Sequence, residues 1–343
     1  MAASATPVLS VRDVKKHFGA RRGVRRHGGL VYAVDGVSFD IHEGETLGLV
    51  GESGCGKSTL ARMLTGLSRP TAGDVTVQGT NIYGRSTRRS GPGGSQMVFQ
   101  DPAGSLDPRR RIADSVGEPL LGRGVSRRQR DERVSELLGL VGLDATLGSR
   151  YPHQLSGGQQ QRACIARALI SDPALLVFDE ALSSLDVSLQ AQIVDLLLSL
   201  QGQLQGGYVF ITHDLATAVE VSTRIAIMYL GEIVELVAVD TFRENTLHPY
   251  SQALIGAVLP PDPVEHSRRK LPLLEGEIPS AADPPSGCRF HTRCPYAQER
   301  CTAERPALTL HGPDHWAACH FAGNLPPAAP AATTRTAPTA TAQ

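Results

Sequence analysis

Residues 51–58 read Gly51-Glu52-Ser53-Gly54-Cys55-Gly56-Lys57-Ser58, which fits the phosphate-binding pattern G-x-x-x-x-G-K-[ST]. The apolar run 46–50 precedes it and predicts a buried strand, so the pattern has the strand–loop–helix context that it requires. Glycines allow backbone N–H groups to curl around phosphates, Lys57 would reach the β- and γ-phosphates, and Ser58 would offer a hydroxyl to Mg²⁺. The predicted nucleotide-binding residues of this segment are Gly51, Ser53, Gly54, Cys55, Gly56, Lys57, Ser58 and Thr59.

Further motifs follow the loop in a fixed order. Residues 155–162 read Leu155-Ser156-Gly157-Gly158-Gln159-Gln160-Gln161-Arg162. Three apolar runs end in polar residues: 97–99 in Gln100, 174–178 in Asp179-Glu180, and 207–212 in His213. Asp186 closes the segment Ser183-Ser184-Leu185-Asp186 that comes after Glu180. With these motifs in this order, the chain resembles ABC-family ATPases over residues 8 to about 240.

The residue types suit phosphoryl transfer to water, which needs neutralised charge around the phosphates and a positioned water. Asp179 is suited to holding Mg²⁺, and Glu180 is predicted to polarise the attacking water, a role worth on the order of 10²–10⁴ in rate. The resemblance implies that His213 contacts the γ-phosphate, and that Gln100 senses the γ-phosphate and metal and links the site to a membrane partner. The predicted catalytic residues are Glu180, His213, Lys57 and Gln100, and the predicted Mg²⁺ ligands are Ser58, Gln100 and Asp179.

The Ser156-Gly157-Gly158 turn opens a helix whose N-terminus is a second anion site. The resemblance implies that this turn, with Gln159 and Asp186, faces the nucleotide of an opposite subunit. ATP would then join a head-to-tail dimer of this chain with itself or with a sister ATPase.

Phe18 is the best candidate to stack on adenine, and its alternative role is an ordinary apolar anchor. The basic insert at residues 20–29 contains four arginines and no acid, which suggests nucleic acid or lipid headgroups, although a solvated loop is the better interpretation.

Composition limits the range of functions. Lys plus Arg and Asp plus Glu both total 34, so a general polyanion-binding role has no electrostatic support, and no nucleic-acid partner is expected. The N-terminus lacks a signal pattern, and the nearest approach to a membrane span, residues 225–239, is broken by Glu232 and Glu235. We expect attachment to the cytoplasmic face of the cell membrane through partners. The resemblance implies two transmembrane permease subunits and an extracytoplasmic solute-binding protein.

The element pattern predicts an α/β fold with an antiparallel β portion at the start. The resemblance implies a P-loop NTPase with a RecA-like core, an antiparallel β subdomain and a helical subdomain at about 101–158, followed by a small Cys-containing C-terminal domain. Expected strands include 46–50, 97–100, 174–178 and 207–212, and expected helices include 127–141 and 187–200. The predicted domains are 1–240 for the ATPase and 241–325 for the C-terminal part. Residues 326–343 form a Pro/Ala/Thr-rich tail that we expect to be disordered.

The region after residue 240 carries its own motifs. Residues 248–254, 273–280 and 287–295 look like the C-terminal region of oligopeptide/dipeptide importer ATPases, in the peptide/nickel/opine uptake branch.

Four of the six cysteines lie in this region, at Cys288, Cys294, Cys301 and Cys319. Four thiolates suit an iron–sulfur cluster or tetrahedral zinc, and the third possibility is unligated thiols. The resemblance implies a [4Fe–4S] cluster, whereas Cys55 and Cys164 are expected to be small, semi-buried packing residues.

The favoured function is an ATPase that couples ATP hydrolysis to uptake of di- or oligopeptides or a related small solute. One alternative is a soluble ABC ATPase of nucleic-acid repair or translation, which usually needs two cassettes or a large inserted module. The other is a regulatory subunit that binds ATP without turnover, and the presence of Lys57, Asp179, Glu180 and His213 argues against it. The sequence does not identify the solute.

Overall fold

A computed structural model of the chain describes residues 6–19, 29–84, 94–203, 206–258 and 276–326. Three segments singled out in the sequence lie wholly or partly outside these ranges. They are residues 20–28 of the basic insert (20–29), residues 273–275 of the 273–280 motif, and residues 327–343 of the tail. Within the described ranges, no helix combines the length and hydropathy that a membrane crossing requires.

The predicted mixture of strands and helices is present, and strands and helices alternate from β7 to β9. The strands are β1 (Leu9–Gly19), β2 (Leu30–Ile41), β3 (Thr46–Val50), β4 (Ala72–Val77), β5 (Thr80–Asn81), β6 (Ser95–Val98), β7 (Leu175–Asp179), β8 (Gly207–Thr212), β9 (Arg224–Tyr229), β10 (Glu232–Ala238), β11 (Thr309–Gly312) and β12 (His315–Ala317). The helices are α1 (Lys57–Leu64), α2 (Pro102–Ser105), α3 (Ile112–Val116), α4 (Arg127–Leu140), α5 (Gly157–Leu169), α6 (Val187–Gln203), α7 (Leu215–Val221), α8 (Val239–Glu244), α9 (Pro249–Val258) and α10 (Glu299–Ala303). Short 3₁₀ turns lie at Glu118–Leu120, Ala145–Ser149 and Pro152–Gln154.

Two sheets organise these elements. The larger has the order β11-β12-β10-β9-β3-β8-β7-β6, in which β9, β3, β8, β7 and β6 are parallel. The smaller is antiparallel, with the order β2-β1-β4-β5. The predicted fold class, a mostly parallel sheet with an antiparallel β portion at the start, is confirmed.

The central strands bury both faces, as parallel strands in α/β proteins do. On β7, Leu176 and Phe178 join the core cluster that includes α5 and α6. The alternate residues Leu175 and Val177 join a second cluster with α1 and the small sheet. Because side chains alternate along a strand, the single apolar run of β7 contributes residues to both core clusters, one on each face of the sheet.

The expected strand 97–100 is displaced in the structure to Ser95–Val98. Gln100 lies beyond the strand, and Asp101 then caps α2 by accepting from the Ala103 N–H at 3.0 Å. Pro102 lies in the first turn of α2, where a backbone N–H has no partner within the helix. Proline lacks this N–H, so no helical hydrogen bond is lost there. Smaller end shifts occur at β7, α4 and α6, which the sequence placed at 174–178, 127–141 and 187–200.

The described residues after 240, which we call the C-terminal segment (241–258 and 276–326), extend the larger sheet. β12 pairs with β10, with Trp316 opposite Leu236. On β10, Glu235 is fully buried and accepts hydrogen bonds from Leu247 N at 2.8 Å, His248 N at 3.0 Å and His315 Nε2 at 2.8 Å. The boundary near residue 240 stays a prediction, and the two sides of it share one sheet.

His248 gives this part of the molecule a pH dependence. The residue is 1% exposed, its Nδ1 accepts from Tyr250 N at 3.1 Å, and burial lowers its pKa to about 4. In the unfolded chain the His248 imidazole is protonated below about pH 6.5, whereas in the folded protein it stays neutral until about pH 4. The free energy of unfolding should therefore fall by roughly 3 kcal/mol as pH drops from about 6.5 to about 4. His248→Asn, which keeps an acceptor near Nδ1 but does not titrate, should lose this part of the slope in urea unfolding at several pH values.

The control is His311→Asn, at an exposed position, which should keep the slope of the unmodified protein. Equal slopes for His248→Asn and the unmodified chain would show that His248 does not titrate as its burial requires.

Candidate functional site

The predicted site residues come together because neighbouring parallel strands end at one edge of the larger sheet. Val50 of β3 pairs with Thr212 of β8, Asp179 of β7 pairs with Ile211, and Val98 of β6 pairs with Phe178. The residues that follow these strand ends are the phosphate-binding loop, His213, Glu180 and Gln100. Ligand sites of open α/β sheets lie at such carboxyl edges.

The phosphate-binding loop needs its glycines for two reasons. A Cβ on Gly51 would overlap the carbonyl oxygen of Met228, and a Cβ on Gly56 would overlap that of Ala33. Gly54 and Gly56 also have positive φ, at 80° and 110°, which favour glycine. Gly56 is the N-cap of α1, so the loop leads directly into a helix that carries Ser58 and Thr59 in its first turn. The result is a tight, backbone-lined cradle suited to an anion.

Lys57 folds back over its own loop. Its side chain is buried, and Nζ donates to the carbonyl oxygens of Gly51 at 2.7 Å and Glu52 at 2.9 Å. Cys55 is also buried, which raises the pKa of its thiol, and burial raises that of Cys164 to about 11. Both cysteines are therefore neutral packing groups.

Ser58 and Asp179 present two oxygens side by side. The Ser58 hydroxyl donates to Asp179 Oδ1 at 2.9 Å. Burial raises the pKa of Asp179, and the Ser58 hydrogen bond opposes that shift. Hydroxyl and carboxylate oxygens fit Mg²⁺, which prefers hard oxygen ligands. Gln100 is exposed, and its Nε2 lies 3.3 Å from Ser183 Oγ, to which it donates.

Glu180 and His213 face each other across the ends of β7 and β8. Glu180 Oε2 lies 3.8 Å from His213 Nδ1, and the His213 side chain is 62% exposed. Glu180 has φ +48°, a left-handed conformation that is uncommon for a non-glycine residue and concentrates at functional sites. Its N–H donates to Ile211 O at 3.0 Å, which fixes this turn against β8. A carboxylate is thereby held at the solvent-facing edge of the site.

The second predicted anion site lies on a different part of the chain. Ser156 Oγ accepts from Gln159 N at 3.3 Å, and Gln159 Oε1 accepts from Ser156 N at 3.0 Å, so the two residues cap the start of α5. Gly157 and Gly158 follow in the first turn of α5. α5 packs against α2, α3, α4, α6 and β6, whereas α1 packs against β2 and β7.

Two further predicted residues have clear local settings. Asp186 Oδ1 accepts from Leu189 N at 2.9 Å at the start of α6, next to Val187, which is 82% exposed. Phe18 is 45% exposed, and Lys16 Nζ lies 5.2 Å from its ring centroid. Tyr32 instead packs edge-on against His17, with ring centroids 4.7 Å apart. Adenine stacking on Phe18 stays a prediction.

The predicted iron–sulfur cluster of the C-terminal cysteines, and the metal-binding character assigned to these cysteines, are wrong. Among the residues that the structure describes, no group of three or more His, Cys, Asp or Glu side chains is arranged to hold a metal ion. The cysteines at 288, 294, 301 and 319 are free and line one small cavity of about 20 Å³, which is room for about one water molecule. Burial raises the pKa of Cys288 and Cys294 to about 12 and also raises that of Cys319, so these thiols are protonated at neutral pH in this structure. A four-iron cluster does not fit this cavity, and the described side chains show no arrangement for the zinc alternative either.

The sequence did not indicate that the C-terminal segment reaches the phosphate-binding loop. Glu52, a variable position of the loop pattern, forms an ion pair with Arg293. The two residues are separated by 241 positions, so no local pattern links them.

The fold and the strand-edge site define a P-loop nucleotide-binding subunit. The family described as "ABC transporter" matches residues 34–183, and the family described as "Oligopeptide/dipeptide transporter, C-terminal region" matches residues 234–301. This chain belongs to the ABC transporter family, and it carries the ATPase fold of that family.

Similar proteins agree with this assignment. The chain is 45% identical to the oligopeptide transport ATP-binding protein AppF of Bacillus subtilis (strain 168), over 93% of this chain and 99% of the relative. It is 45% identical to the di/tripeptide transport ATP-binding protein DppF of Pseudomonas aeruginosa (strain UCBPP-PA14), over 92% of this chain and 98% of the relative. A solved structure, the ADP- and Pi-bound dimer of the ATP-binding cassette MJ0796, superposes with a TM-score of 0.59 at 28% identity, over 67% of this chain and 98% of that chain. The predictions of the family and of an ABC ATPase are confirmed.

Proposed function

We propose that this chain is the ATP-hydrolysing subunit of a membrane importer that takes up di- or oligopeptides or a related small solute. The observation that carries the proposal is the meeting of the phosphate-binding loop, the Ser58–Asp179 pair and the Glu180–His213 pair at one sheet edge. The names of relatives that match nearly the whole chain support the solute class, because they are oligopeptide and di/tripeptide transport proteins. They do not favour a soluble protein of nucleic-acid repair or translation.

The site residues divide the work of hydrolysis. The loop N–H groups and Lys57 bind the phosphates, with Lys57 exchanging its carbonyl contacts for phosphate oxygens. Ser58 and Asp179, with Gln100 as a further ligand, would hold Mg²⁺, which would neutralise charge on the β- and γ-phosphates. Glu180 accepts the proton of the attacking water, and His213 orients that water beside it.

Two chains complete two sites in this proposal. Each chain carries one phosphate-binding loop, at the start of α1, and one Ser156-Gly157-Gly158 turn, at the start of α5, and these helices have different neighbours. A head-to-tail dimer, with a second copy or a sister ATPase, would place the turn and Asp186 of one subunit against the nucleotide of the other. The dimeric ATP-binding cassette among the similar structures supports this arrangement. Two permease subunits and an extracytoplasmic solute-binding protein complete the importer, with this chain peripheral on the cytoplasmic face.

The test is to trap the complex and identify its members. A tagged Glu180→Gln chain is held with ATP and Mg²⁺ in gently solubilised membranes, and the co-purifying proteins are identified by mass spectrometry. We expect two multispanning permeases, a sister ATPase or a second copy, and a solute-binding protein.

The control is the Lys57→Ala, Glu180→Gln double variant, which should not be trapped by ATP because the loop has lost its cation. Recovery of ribosomes or nucleic acid, and of no membrane protein, would contradict the importer function.

A further inference from the structure

The C-terminal segment holds the second residue of the phosphate-binding loop by its side chain. Arg293 Nη1 donates to Glu52 Oε2 at 2.7 Å, and Nη2 donates to Oε1 at 3.0 Å. The Arg293 side chain is 6% exposed, so this is a nearly buried bidentate pair, a strong form of charge-assisted hydrogen bonding. The guanidinium also lies 5.9 Å from the ring centroid of Tyr229.

The same segment holds the main chain of Glu52. The Glu52 N–H donates to the Tyr250 hydroxyl oxygen at 3.1 Å. Tyr250 is fully buried, and its ring centroid lies 4.8 Å from the ring centroid of Tyr229 and 5.4 Å from that of Phe290. The hydroxyl is therefore placed by a rigid aromatic cluster that includes the C-terminal residues 250 and 290.

Arg293 also offsets a charge that opposes nucleotide binding. Glu52 places a carboxylate on the loop whose carbonyl groups at 51 and 52 accept from Lys57. An unpaired carboxylate there would repel the phosphates of a nucleotide and compete for the Lys57 ammonium. In the bidentate pair, the Glu52 charge is compensated without drawing on Lys57.

We propose that Arg293 and Tyr250 are positioning residues of the nucleotide site, and that their contacts with Glu52 set the affinity of the loop for ATP. This inference rests on the proposed function of residues 51–59 in ATP binding. Arg293 and Tyr250 do not themselves bind the nucleotide in this proposal. They hold the side chain and the main chain of Glu52, and the position and charge of Glu52 affect how the loop binds phosphates.

Arg305 offers a matched control, because it docks the same segment without contacting the loop. Its Nη1 lies 3.2 Å from Asp35 Oδ2, and its Nη2 lies 2.8 Å from Glu232 Oε1. Arg289, the partner of the same two carboxylates, remains in place in an Arg305 variant. Arg305→Gln therefore weakens the docking contacts and leaves the Arg293–Glu52 pair intact.

The experiment titrates the full chain with a fluorescent N-methylanthraniloyl ATP analogue in the presence of Mg²⁺. Arg293→Gln should raise the Kd by about tenfold, which corresponds to about 1.4 kcal/mol. It should raise KM for ATP by a similar factor while changing kcat little. Tyr250→Phe, which keeps the ring packing, should weaken binding by a smaller factor, and Arg305→Gln should bind as the unmodified chain does.

The double variant Arg293→Gln, Glu52→Gln separates a local effect from general damage. Since the unpaired carboxylate is gone, the Kd should return to within about threefold of the unmodified value. Equal binding by Arg293→Gln and the unmodified chain, or equal weakening by Arg293→Gln and Arg305→Gln, would overturn the inference alone. Failure of the unmodified chain to bind the analogue would overturn the proposed function and the inference with it.

Discussion

Replacing Glu180 with glutamine should lower the rate of ATP hydrolysis by about 10²–10⁴ while ATP binding is retained. Glutamine keeps the size and the hydrogen-bonding oxygen of the side chain, but its amide does not accept a proton from water. Binding should survive because the loop, Lys57 and the Ser58–Asp179 pair are unchanged. The measurement pairs phosphate release under saturating ATP with a binding titration of the same preparation.

Glu220→Gln is the matched control for this variant. Glu220 is an exposed carboxylate on α7, the helix that follows His213, so its removal changes the net charge equally and should leave hydrolysis unchanged. Hydrolysis by Glu180→Gln at close to the unmodified rate would show that another group activates the water. Loss of binding together with hydrolysis would instead show that Glu180 supports the structure of the site.

Gly51→Ala should destabilise the protein by about 3 kcal/mol or more, the upper end of what overpacking usually costs. The added methyl group overlaps the Met228 carbonyl oxygen, which belongs to the buried strand β9 and is not free to move aside. Relief requires separating β3 from β9 near the loop, where Val50 pairs with Ile227. Urea unfolding followed by the fluorescence of Trp316, the single tryptophan, measures the loss.

Gly139→Ala, which adds the same methyl group, should increase the stability of the protein. Gly139 lies in α4, and a methyl group added there would meet no atom of another element within 4 Å, so alanine should stabilise the helix by about 0.5–1 kcal/mol. Equal stability of Gly51→Ala and the unmodified chain would show that the loop has more space than the structure gives it.

The site could be predicted largely because its chemistry depends on local spacing. The phosphate-binding loop, the Asp179-Glu180 pair and His213 each follow an apolar run that is itself a central strand, and the parallel pairing brings the strand ends together. No sequence pattern indicated the left-handed conformation of Glu180, because this conformation accompanies a hydrogen bond to Ile211 on β8.

Long-range features could not be predicted in this way. The Arg293–Glu52 pair joins positions that no periodicity relates, and β12 is too short to stand out as a strand in sequence. The cysteines show a different limit. Their number and spacing were compatible with a cluster, but spacing along the chain does not determine where sulfur atoms point or how much space lies between them. The structure places them around a cavity that is too small.

The buried Glu235 has a consequence for the construction of chimeric proteins. This acceptor lies on β10, before residue 240, whereas its three donors are contributed by residues 247, 248 and 315. A crossover near residue 240 that joins this N-terminal part to the C-terminal part of a relative keeps the acceptor and replaces the donors. If the replacement does not supply equivalent groups, an uncompensated buried charge remains, at a cost of about 3–5 kcal/mol. Functional exchange between relatives therefore depends on inheriting Glu235 and its donors as one unit.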